Sequence, residues 1–236
     1  MSDQIEIQTM GFHDLDPGGI DNVTDWILQK FQSHYGDESI TKDDIWEYLY
    51  GVMHAHDWWD TYKHDLRRNL PRVPLAPDFE GIRFAGRQLI DLHIGYEDVP
   101  EYPVDCRLDG AIDNGGTANA ATDPRAYRIE KLAWGKGPNR TEDRSVLEIN
   151  ARCRLVGIPD AAHEYTISGR SPLQWAIDSL RHKYDKKSGI TDDPNEWEDW
   201  ADEPYNLIRH LRRLVHVSVE SARIINELPP ALPSKG

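Results

Sequence analysis

The spacing of apolar residues changes twice along the chain, and these changes constrain the fold more than any other feature of the sequence. Between residues 22 and 96, apolar side chains recur every three or four positions, which is typical of amphipathic helices. Between residues 125 and 168 they alternate with polar side chains, which is typical of half-buried strands. Helical spacing returns on one long stripe over residues 204–228. The sequence therefore predicts an α+β fold with an N-terminal helical bundle, a small antiparallel sheet and a long C-terminal helix.

Capping residues indicate where the helices of the first region begin. Asp21 or Asn22 is a candidate cap for the first helix. Thr41 and Asp78 precede two further helices, and a helix over residues 58–69 is predicted between these two. The helical region is thus predicted to contain four helices joined by short loops.

Three antiparallel strands are predicted over residues 125–134, 145–156 and 164–168, and Ser171-Pro172 predicts the start of a further helix. Prolines, paired glycines and small residues predict a long loop before the first strand. We expect five parts along the chain: a leader or arm over 1–21, a helical subdomain over 22–96, a loop over 97–124, a sheet-plus-helix subdomain over 125–228 and a tail over 229–236.

Composition excludes several classes of protein. The 236 residues contain no run of about 18 apolar residues, which a transmembrane helix requires. The first residues have neither a basic start nor an apolar stretch, so they do not form a signal peptide. Cys106 and Cys153 are the only cysteines, too few for a disulfide framework or a zinc site. We therefore expect a reducing, cytoplasmic location and no membrane partner.

Charge is distributed unevenly along the chain. The formal net charge is −14, which by itself argues against binding to nucleic acid, because phosphate contacts need Lys and Arg. Residues 125–190, however, contain 13 Lys+Arg and 8 Asp+Glu, a net charge of +5, which leaves −19 for the remainder. Ordinary surface variation is one interpretation of this difference, and a polyanionic partner for the basic segment is the other.

Sequence motifs of enzymes that handle nucleotides are absent. No GxxxxGK followed by Ser or Thr is present, and no glycine-rich fingerprint follows a predicted strand. The Asn226-Glu227-Leu228-Pro229-Pro230 stretch lacks the spacing and the aromatic residue of an amino-methyltransferase motif. We therefore expect no catalytic residues and no cofactor in this chain.

Two groups of residues are weak candidates for metal binding. His56, Asp60 and His64 would share one face of a helix, but solvated polar side chains and hydrogen bonds at the helix ends are the preferred explanation of this spacing. Asp160 together with Asp185 and the following lysines resembles a magnesium-dependent nuclease site, but Asp160 and Asp185 do not fall on adjacent predicted strands. We predict no metal site, and a metal-dependent nuclease is retained only as a third alternative.

Basic residues at strand ends, turns and helix ends are the candidate contacts to DNA. Phosphates and base edges are reached from such positions, although basic residues near helix C-termini also offset the helix dipole. Asn139 and Asn150 could read bases, because carboxamides pair with adenine. The predicted DNA-binding residues are Arg125, Lys131, Lys136, Arg140, Arg144, Arg170, Lys183 and Lys186.

An ordered series of short segments resembles the C-terminal specificity region of Type ISP restriction–modification enzymes. The matching segments occur in the same order over about residues 22 to 228. In the first half they are TDW at 24–26, HYGD at 34–37, ITKDDI at 40–45, YLYGV at 48–52 and LPRVPLAPDF at 70–79. In the second half they are DRS at 143–145, LVGIP at 155–159, EY at 164–165, GRS at 169–171, WAID at 175–178, DKKSGI at 185–190 and DPNEW at 193–197.

This resemblance implies a role in DNA recognition. In that family one polypeptide carries a nuclease, a helicase-like ATPase, an adenine methyltransferase and a C-terminal region that reads an asymmetric DNA site. The chain is similar to the last region alone, which implies a non-catalytic target-recognition module of a phage-defence system. The implied partners are double-stranded DNA and an adenine methyltransferase domain or subunit.

Some features depart from the family pattern and leave alternatives open. Residues 110–121 match no family segment, as expected of a segment that tunes specificity, and His56 stands where a proline is expected. The chain could be a split-gene specificity subunit or an excised domain. The alternative function is an acidic protein-interaction module, or a DNA-mimicking inhibitor, without DNA affinity.

Overall fold

The computed structural model of the chain describes residues 4–6, 22–67, 72–118 and 122–233. Most of the predicted leader, residues 1–21, lies outside these described residues. The chain divides into two compact units, of which unit 1 comprises Met1–Ile94 with Arg223–Gly236 and unit 2 comprises Gly95–Ala222. Among the described residues, no helix is both long enough and apolar enough to cross a membrane.

Unit 1 is mainly helical, and local capping sets the start of its helices. Thr24 rather than Asp21 or Asn22 caps the first helix, and Thr41 forms a reciprocal capping box with Asp44. The third helix ends earlier than predicted and is followed by a short 3-10 helix. The elements are β1 (Gln4–Glu6), α1 (Asp25–Tyr35), α2 (Lys42–His54), α3 (His56–Tyr62), β2 (Arg72–Pro74) and α4 (Phe79–Ile94), with β1 and β2 antiparallel.

Helices α2 and α4 approach closely through two glycines. A Cβ atom added to Gly86 would lie 1.9 Å from the carbonyl oxygen of Glu47, and one added to Gly51 would lie 2.4 Å from the carbonyl oxygen of Ile82. No side chain fits at either position without a shift of the backbone. The two helices therefore pack backbone against backbone, which apolar periodicity alone does not predict.

Aromatic side chains fill the core of unit 1 and hold its proline-rich segment. Phe31, Tyr48 and Phe79 are buried, with ring centroids 5.0 to 5.9 Å apart. The Tyr48 hydroxyl donates to the Pro74 carbonyl at 2.6 Å and accepts from the Ala76 N–H at 2.9 Å. The prolines prevent this segment from forming a helix, so its backbone groups need other hydrogen-bond partners. The Tyr48 hydroxyl is the partner of two of these groups.

The segment after the long C-terminal helix is also part of unit 1. The backbone N–H groups of Ala231 and Leu232 donate to the carboxylate of Asp57 at 3.2 and 2.8 Å. Ala231 is fully buried in the same core as Trp58 and Val73. The Asp57 carboxylate therefore fixes this segment to the start of α3.

Unit 2 contains a five-stranded antiparallel sheet with strand order β4-β3-β7-β6-β5, and a separate two-stranded hairpin β8–β9. Helix α7 runs from unit 2 into the last residues of unit 1. The predicted α+β fold with its long C-terminal helix is confirmed. The elements are β3 (Asp105–Leu108), β4 (Ala111–Ile112), β5 (Ala133–Lys136), β6 (Glu142–Glu148), β7 (Cys153–Val156), α5 (Pro172–Ser179), β8 (Lys183–Tyr184), β9 (Thr191–Asp192), α6 (Glu198–Ala201) and α7 (Asn206–Asn226).

The strand predictions were wrong in detail. The segment 97–124, predicted as a loop, contains β3 and β4, because β3 pairs with the distant β7. The predicted strand over 145–156 is two strands joined by a turn, and β6 starts three residues earlier. The predicted strand over 164–168 contributes only an isolated bridge between Ile167 and Arg170. Residues 125–132 are irregular, since the Asn150 carboxamide rather than a strand partner takes up carbonyls of this segment.

A buried polar network joins α7 to the chain around β3 and β4. The guanidinium of Arg212 donates to the Val104 carbonyl at 2.8 and 3.1 Å, to Asn114 Oδ1 at 2.7 Å and to the Tyr205 hydroxyl at 3.1 Å. It also forms an ion pair with Glu101 at 3.2 Å, although Arg212 is only 5% exposed. The Val104 carbonyl, in the irregular backbone before β3, thus accepts its hydrogen bonds from the Arg212 side chain of α7.

Asp113 continues this network on the other side of β4. It accepts hydrogen bonds from the Thr117 N–H at 2.9 Å, from the Thr117 hydroxyl at 3.0 Å and from the Tyr127 hydroxyl. Burial opposes ionisation of Asp113, but these hydrogen bonds outweigh burial and hold the pKa of Asp113 below its ordinary value. The ionised carboxylate therefore fixes the segment that follows β4.

Candidate nucleic-acid interface

All eight basic residues predicted to bind DNA lie in unit 2, and all eight are exposed. They occupy four segments, which we call the four basic segments: loop 125–131, the hairpin β5–β6, the turn 167–170 and the hairpin β8–β9. Arg125 and Lys131 lie in the loop, Lys136, Arg140 and Arg144 in the hairpin β5–β6, Arg170 at the end of the turn, and Lys183 and Lys186 in the hairpin β8–β9.

Two of the eight have carboxylate partners. Arg144 pairs with Glu142 at 2.7 Å, and Arg170 pairs with Asp178 at 3.4 Å. Across the ranges that the structure describes, no ion pair involves the other six, which are Arg125, Lys131, Lys136, Arg140, Lys183 and Lys186. These six cations are therefore available to an external anion.

The tip of the hairpin β5–β6 is tightly built. The Gly137 N–H donates to the Thr141 carbonyl at 2.8 Å, and the Arg140 N–H donates to the Gly137 carbonyl at 3.2 Å. The Thr141 N–H and hydroxyl both donate to the Pro138 carbonyl, at 3.2 and 2.8 Å. Asn139 and Arg140 are both left-handed, with φ of 56° and 62°. The tip is thus a closed turn that displays Asn139 and Arg140.

The turn 167–170 places Arg170 against an aromatic ring. Ser168 and Gly169 are left-handed, with φ of 52° and 78°, which matches the two-residue turns that connect antiparallel segments. The Arg170 guanidinium lies 4.8 Å from the ring centroid of Trp175, whose indole N–H donates to the Ile167 carbonyl at 3.1 Å. The Arg170 guanidinium is therefore held in place by a cation–π contact with Trp175 and an ion pair with Asp178.

Side chains of α5 connect this turn to the sheet. The Trp134 indole N–H donates to Gln174 Oε1 at 2.7 Å, and Gln174 in turn donates to Asp178 Oδ1 at 3.3 Å. Because Asp178 is also the partner of Arg170, strand β5 and the turn belong to one hydrogen-bonded assembly.

The hairpin β8–β9 lies in a long exposed stretch, because every residue from 181 to 191 is exposed. The Asp185 carboxylate accepts from the Lys187 N–H at 2.7 Å, and Gly189, with φ of 73°, closes the turn. Asp185 has its pKa lowered by the backbone hydrogen bonds of Lys187 and Ser188. This carboxylate therefore shapes the turn that carries Lys186.

The base of this hairpin is joined to the loop 125–131. Arg128 pairs with Asp193 at 2.8 Å, and the Ile129 N–H donates to Asn195 Oδ1 at 2.7 Å. Asn195 Nδ2 returns a bond to the Ile129 carbonyl at 3.0 Å. These contacts connect the segment that carries Arg125 and Lys131 with the segment that carries the hairpin lysines.

Asn150, which the sequence suggests as a residue that could read bases, uses its carboxamide for hydrogen bonds inside unit 2. Its Nδ2 atom lies 2.9 to 3.2 Å from the carbonyls of Arg125, Ala126 and Arg128, and its Oδ1 atom accepts from the N–H groups of Arg152 and Cys153. Both ends of the carboxamide are therefore used inside unit 2, where they support the turn between β6 and β7.

The sequence-based prediction that Trp175 belongs to the buried face of α5 was also wrong. Its position beside Leu173, Ala176 and Ile177 predicts a buried side chain, yet Trp175 is 39% exposed while these three neighbours are buried. It faces Arg170 instead. No signal in the sequence of α5 distinguishes this tryptophan from the core residues, because the contact depends on how the preceding turn folds back.

The two candidate metal groups have other roles in the structure. Helix α3 ends at Tyr62, so His64 lies beyond the helical face that it would share with His56 and Asp60. Asp60 pairs with Lys63, and His56 lies 3.2 Å from Asn226 Oδ1. Within the described ranges, no three His, Cys, Asp or Glu side chains come together in a way that could hold a metal ion.

Unit 2 is thus an α+β unit that displays exposed cations on two hairpins, a loop and a turn. The model of the Type ISP C-terminal specificity domain family matches residues 8–209 of the chain. The chain therefore belongs to the Type ISP C-terminal specificity domain family, as the sequence segments predict. No curated protein sequence matches the chain significantly.

The solved structures that are similar to the chain include the following three. The first is the ATP-dependent Type ISP restriction-modification enzyme LlaBIII bound to DNA, with 28% identity and a TM-score of 0.70 over 88% of this chain. A DrdV–DNA complex gives 32% identity and a TM-score of 0.73 over 88% of this chain. A nuclease-deletion mutant of the Type ISP enzyme LlaGI, in complex with a DNA substrate mimic, gives 32% identity and a TM-score of 0.65 over 82% of this chain.

The chain spans only a small part of these larger proteins. It covers 12% of the LlaBIII chain, 20% of the DrdV chain and 14% of the LlaGI chain. The similarity thus concerns only a part of each of these longer chains.

Proposed function

We propose that this chain recognises a DNA target site and that the four basic segments of unit 2 contact the duplex. The observation that carries the proposal is the set of six exposed cations that have no ion-pair partner among the described residues, in a chain whose net charge is −14. The chain has 41 Asp and Glu residues and only 27 Lys and Arg residues, so carboxylates outnumber the cations that they could pair with. Unpaired cations on hairpins and loops therefore favour an external polyanion. Two of the similar solved structures described above are bound to DNA, and the third is in complex with a DNA substrate mimic.

We also propose that unit 1 packs against the rest of a larger restriction–modification enzyme or complex, including an adenine methyltransferase. Trp26, Trp46 and Trp59 of unit 1 are 58%, 49% and 51% exposed. Indole rings are enriched at protein interfaces because they bury a large area with little loss of conformational entropy. On this proposal the chain supplies specificity, and its partner supplies the catalytic steps.

The proposal predicts that the isolated chain enriches a non-palindromic site from a pool of randomised duplexes. In the triple variant Lys136→Ala, Arg140→Ala, Lys186→Ala, affinity for the selected site should fall at least tenfold. The slope of log affinity against log salt concentration should become shallower by about 0.9 for each lost phosphate contact. Fluorescence anisotropy at several salt concentrations measures both quantities.

A matched triple variant separates specific loss from a general change in charge. Lys30→Ala, Lys63→Ala, Arg87→Ala removes the same charge from exposed positions in unit 1 and should leave DNA affinity within about twofold. Equal effects of the two triple variants would contradict the assignment of DNA binding to the four basic segments.

The selection also tests the alternative function. The acidic interaction module predicts no enrichment of any duplex at low or moderate salt. It predicts that the chain instead co-purifies with an isolated protein through the acidic, tryptophan-bearing surface of unit 1. That pair of outcomes would overturn the proposal of DNA recognition.

A further inference from the structure

The geometry points to Arg140 as a base-reading residue, whose guanidinium fork pairs with a guanine in the major groove. This inference rests on the proposed function, and it goes further by dividing the basic residues by task. Arg140 reads sequence, whereas Lys183 and Lys186 hold phosphates. Three independent features of the hairpin β5–β6 carry the assignment.

The first feature is the backbone conformation of Arg140. Its φ of 62° lies in the left-handed region, which glycine adopts without strain and asparagine adopts with little strain. Asn139, the residue before it, is also left-handed, and asparagine is an ordinary choice there. Arginine is not favoured by such a backbone, so the local fold gives no reason for its presence. Strain of this kind is retained where a side chain has a function.

The second feature is the rigidity of the tip. Four hydrogen bonds close the turn between Gly137 and Thr141, and the ring of Pro138 fixes one further backbone angle. The register shift between Trp134 and Gly135 sets the direction in which the hairpin leaves the sheet. Two parallel hydrogen bonds to a base edge need a donor pair held in one place, which a closed turn provides.

The third feature is the free guanidinium fork. Several arginines of unit 2 donate to carboxylates: Arg128 to Asp193, Arg144 to Glu142, and Arg152 to Asp109 and Asp123. Arg125 and Arg140 have no ion-pair partner among the described residues, and of these two only Arg140 lies on a closed turn with a left-handed backbone. For Arg140 the described residues provide neither an ion pair nor a side-chain hydrogen bond. All five N–H donors are therefore open to a ligand, and guanine O6 and N7 match two of them.

The lysines of the hairpin β8–β9 have the opposite character. Lys183 and Lys186 lie in a segment in which every residue is exposed, and each carries a point charge on a flexible stem. Such a group attracts any phosphate within reach but does not distinguish one base from another. The two hairpins thus offer matched variants for separating base reading from phosphate binding.

The experiment begins with selection of a site by the full wild-type chain from a randomised duplex pool. Each base pair of the selected site is then replaced in turn, and the affinity of each duplex is measured for wild type, Arg140→Ala, Arg140→Lys and Lys186→Ala. We expect Arg140→Ala and Arg140→Lys to lose about 5- to 150-fold of discrimination at one guanine position and to keep it elsewhere. Lys186→Ala should weaken binding to every duplex by the same factor.

A fourth variant, Arg140→Gly, separates reading from folding. Glycine removes the unfavourable backbone conformation, so the midpoint of thermal unfolding should equal or exceed that of wild type while discrimination at the same guanine is lost. A lower midpoint than wild type would contradict the argument from backbone conformation.

The outcomes distinguish this inference from the proposed function. If the wild-type chain selects no site, the proposed function fails. If the wild-type chain selects a site but Arg140→Ala weakens binding equally for all duplexes, Arg140 is a phosphate contact and the inference is overturned while DNA recognition stands. Loss of discrimination at an adenine or thymine position, rather than at a guanine, would also overturn it.

Discussion

The interiors of the two units are stabilised in different ways. Unit 1 has an apolar and aromatic core, and its helices α2 and α4 touch through Gly51 and Gly86. Unit 2 has an apolar core as well, but Arg212 and Asp113 are buried beside it and bonded to the irregular backbone around β3 and β4. The difference follows from secondary structure. Helices satisfy their own backbone groups, whereas irregular segments need side chains to do so.

This difference indicates which substitutions should destabilise each unit. A unit in which backbones touch is sensitive to added volume, because neither helix can move without disturbing the aromatic core. A unit in which buried charges hold irregular backbone is sensitive to the loss of a polar partner, because the groups left behind stay buried and unpaired.

The largest effect is expected in unit 2. Arg212→Met should lower the free energy of unfolding by about 3–5 kcal/mol, because it leaves the Val104 carbonyl, Asn114 and Glu101 without their shared donor. Denaturant unfolding measures the loss, and hydrogen exchange should show lower protection in residues 101–114. Arg209→Met is the control, since the half-exposed Arg209 pairs mainly with Glu203 at 2.7 Å and should contribute below about 1 kcal/mol. If Arg212→Met and Arg209→Met lowered the free energy of unfolding equally, the buried polar network would not contribute to stability as proposed.

The next largest effect is expected in unit 1. Gly86→Ala should lower the free energy of unfolding by about 1–3 kcal/mol, because the new methyl group would overlap the Glu47 carbonyl. Gly115→Ala in unit 2 meets no atom within 4 Å and should change stability by less than about 0.5 kcal/mol. If Gly86→Ala were as stable as wild type, α2 and α4 would not be in backbone contact, and the contrast between the units would fail.

A smaller, pH-dependent effect is expected from the histidines of unit 1. Burial, with a contribution from the neighbouring His54, lowers the pKa of His93 to about 4, and burial also lowers the pKa of His54. The unfolded chain, with a histidine pKa near its ordinary value of 6.5, therefore binds more protons than the folded chain between pH 6.5 and 4. The free energy of unfolding should fall as the pH falls through this window.

The variant His93→Gln tests the origin of this pH dependence. Glutamine keeps an acceptor near the Tyr50 hydroxyl, which lies 2.8 Å from His93 Nδ1, but it does not titrate. The decline in stability between pH 6.5 and 4 should become shallower in His93→Gln, while His64→Gln at an exposed position should leave it as in wild type. Identical pH profiles for wild type and His93→Gln would assign the effect to other groups.

Much of the helical structure and the exposure of the candidate DNA-binding residues could be predicted from the sequence. The capping residues Thr41, Asp78 and Ser171 act within three or four residues, so the starts of α2, α4 and α5 were predicted correctly. The candidate DNA-binding residues are all exposed, because charged side chains in turns are rarely buried. That they bind DNA is a proposal, and the selection experiment addresses it.

The rest depended on contacts between distant residues. Strand β3 exists because it pairs with β7, almost 50 residues later, and its own sequence does not alternate clearly enough to indicate a strand. Trp175 was wrongly predicted to be buried, because the turn beside it could not be placed from the sequence. The hydrogen bonds of Asn150 to the carbonyls of the loop before β5 were not predicted for the same reason. A local pattern specifies which residues prefer a helix, strand or turn, but not which partner each will meet.

What the sequence determined by itself was the order of helical and extended regions, the helix starts and the location of the basic segment between residues 125 and 190. These properties depend on side-chain spacing and on capping bonds that span a few residues. The tertiary structure alone decided the strand order, the backbone contact at Gly51 and Gly86, and the use of Arg212 as a partner for a carbonyl 108 residues away. It also decided which arginines are paired and which, like Arg140, are left free. The physical reason is that burial and hydrogen-bond partners are set by the packing of distant segments, which no local interaction specifies.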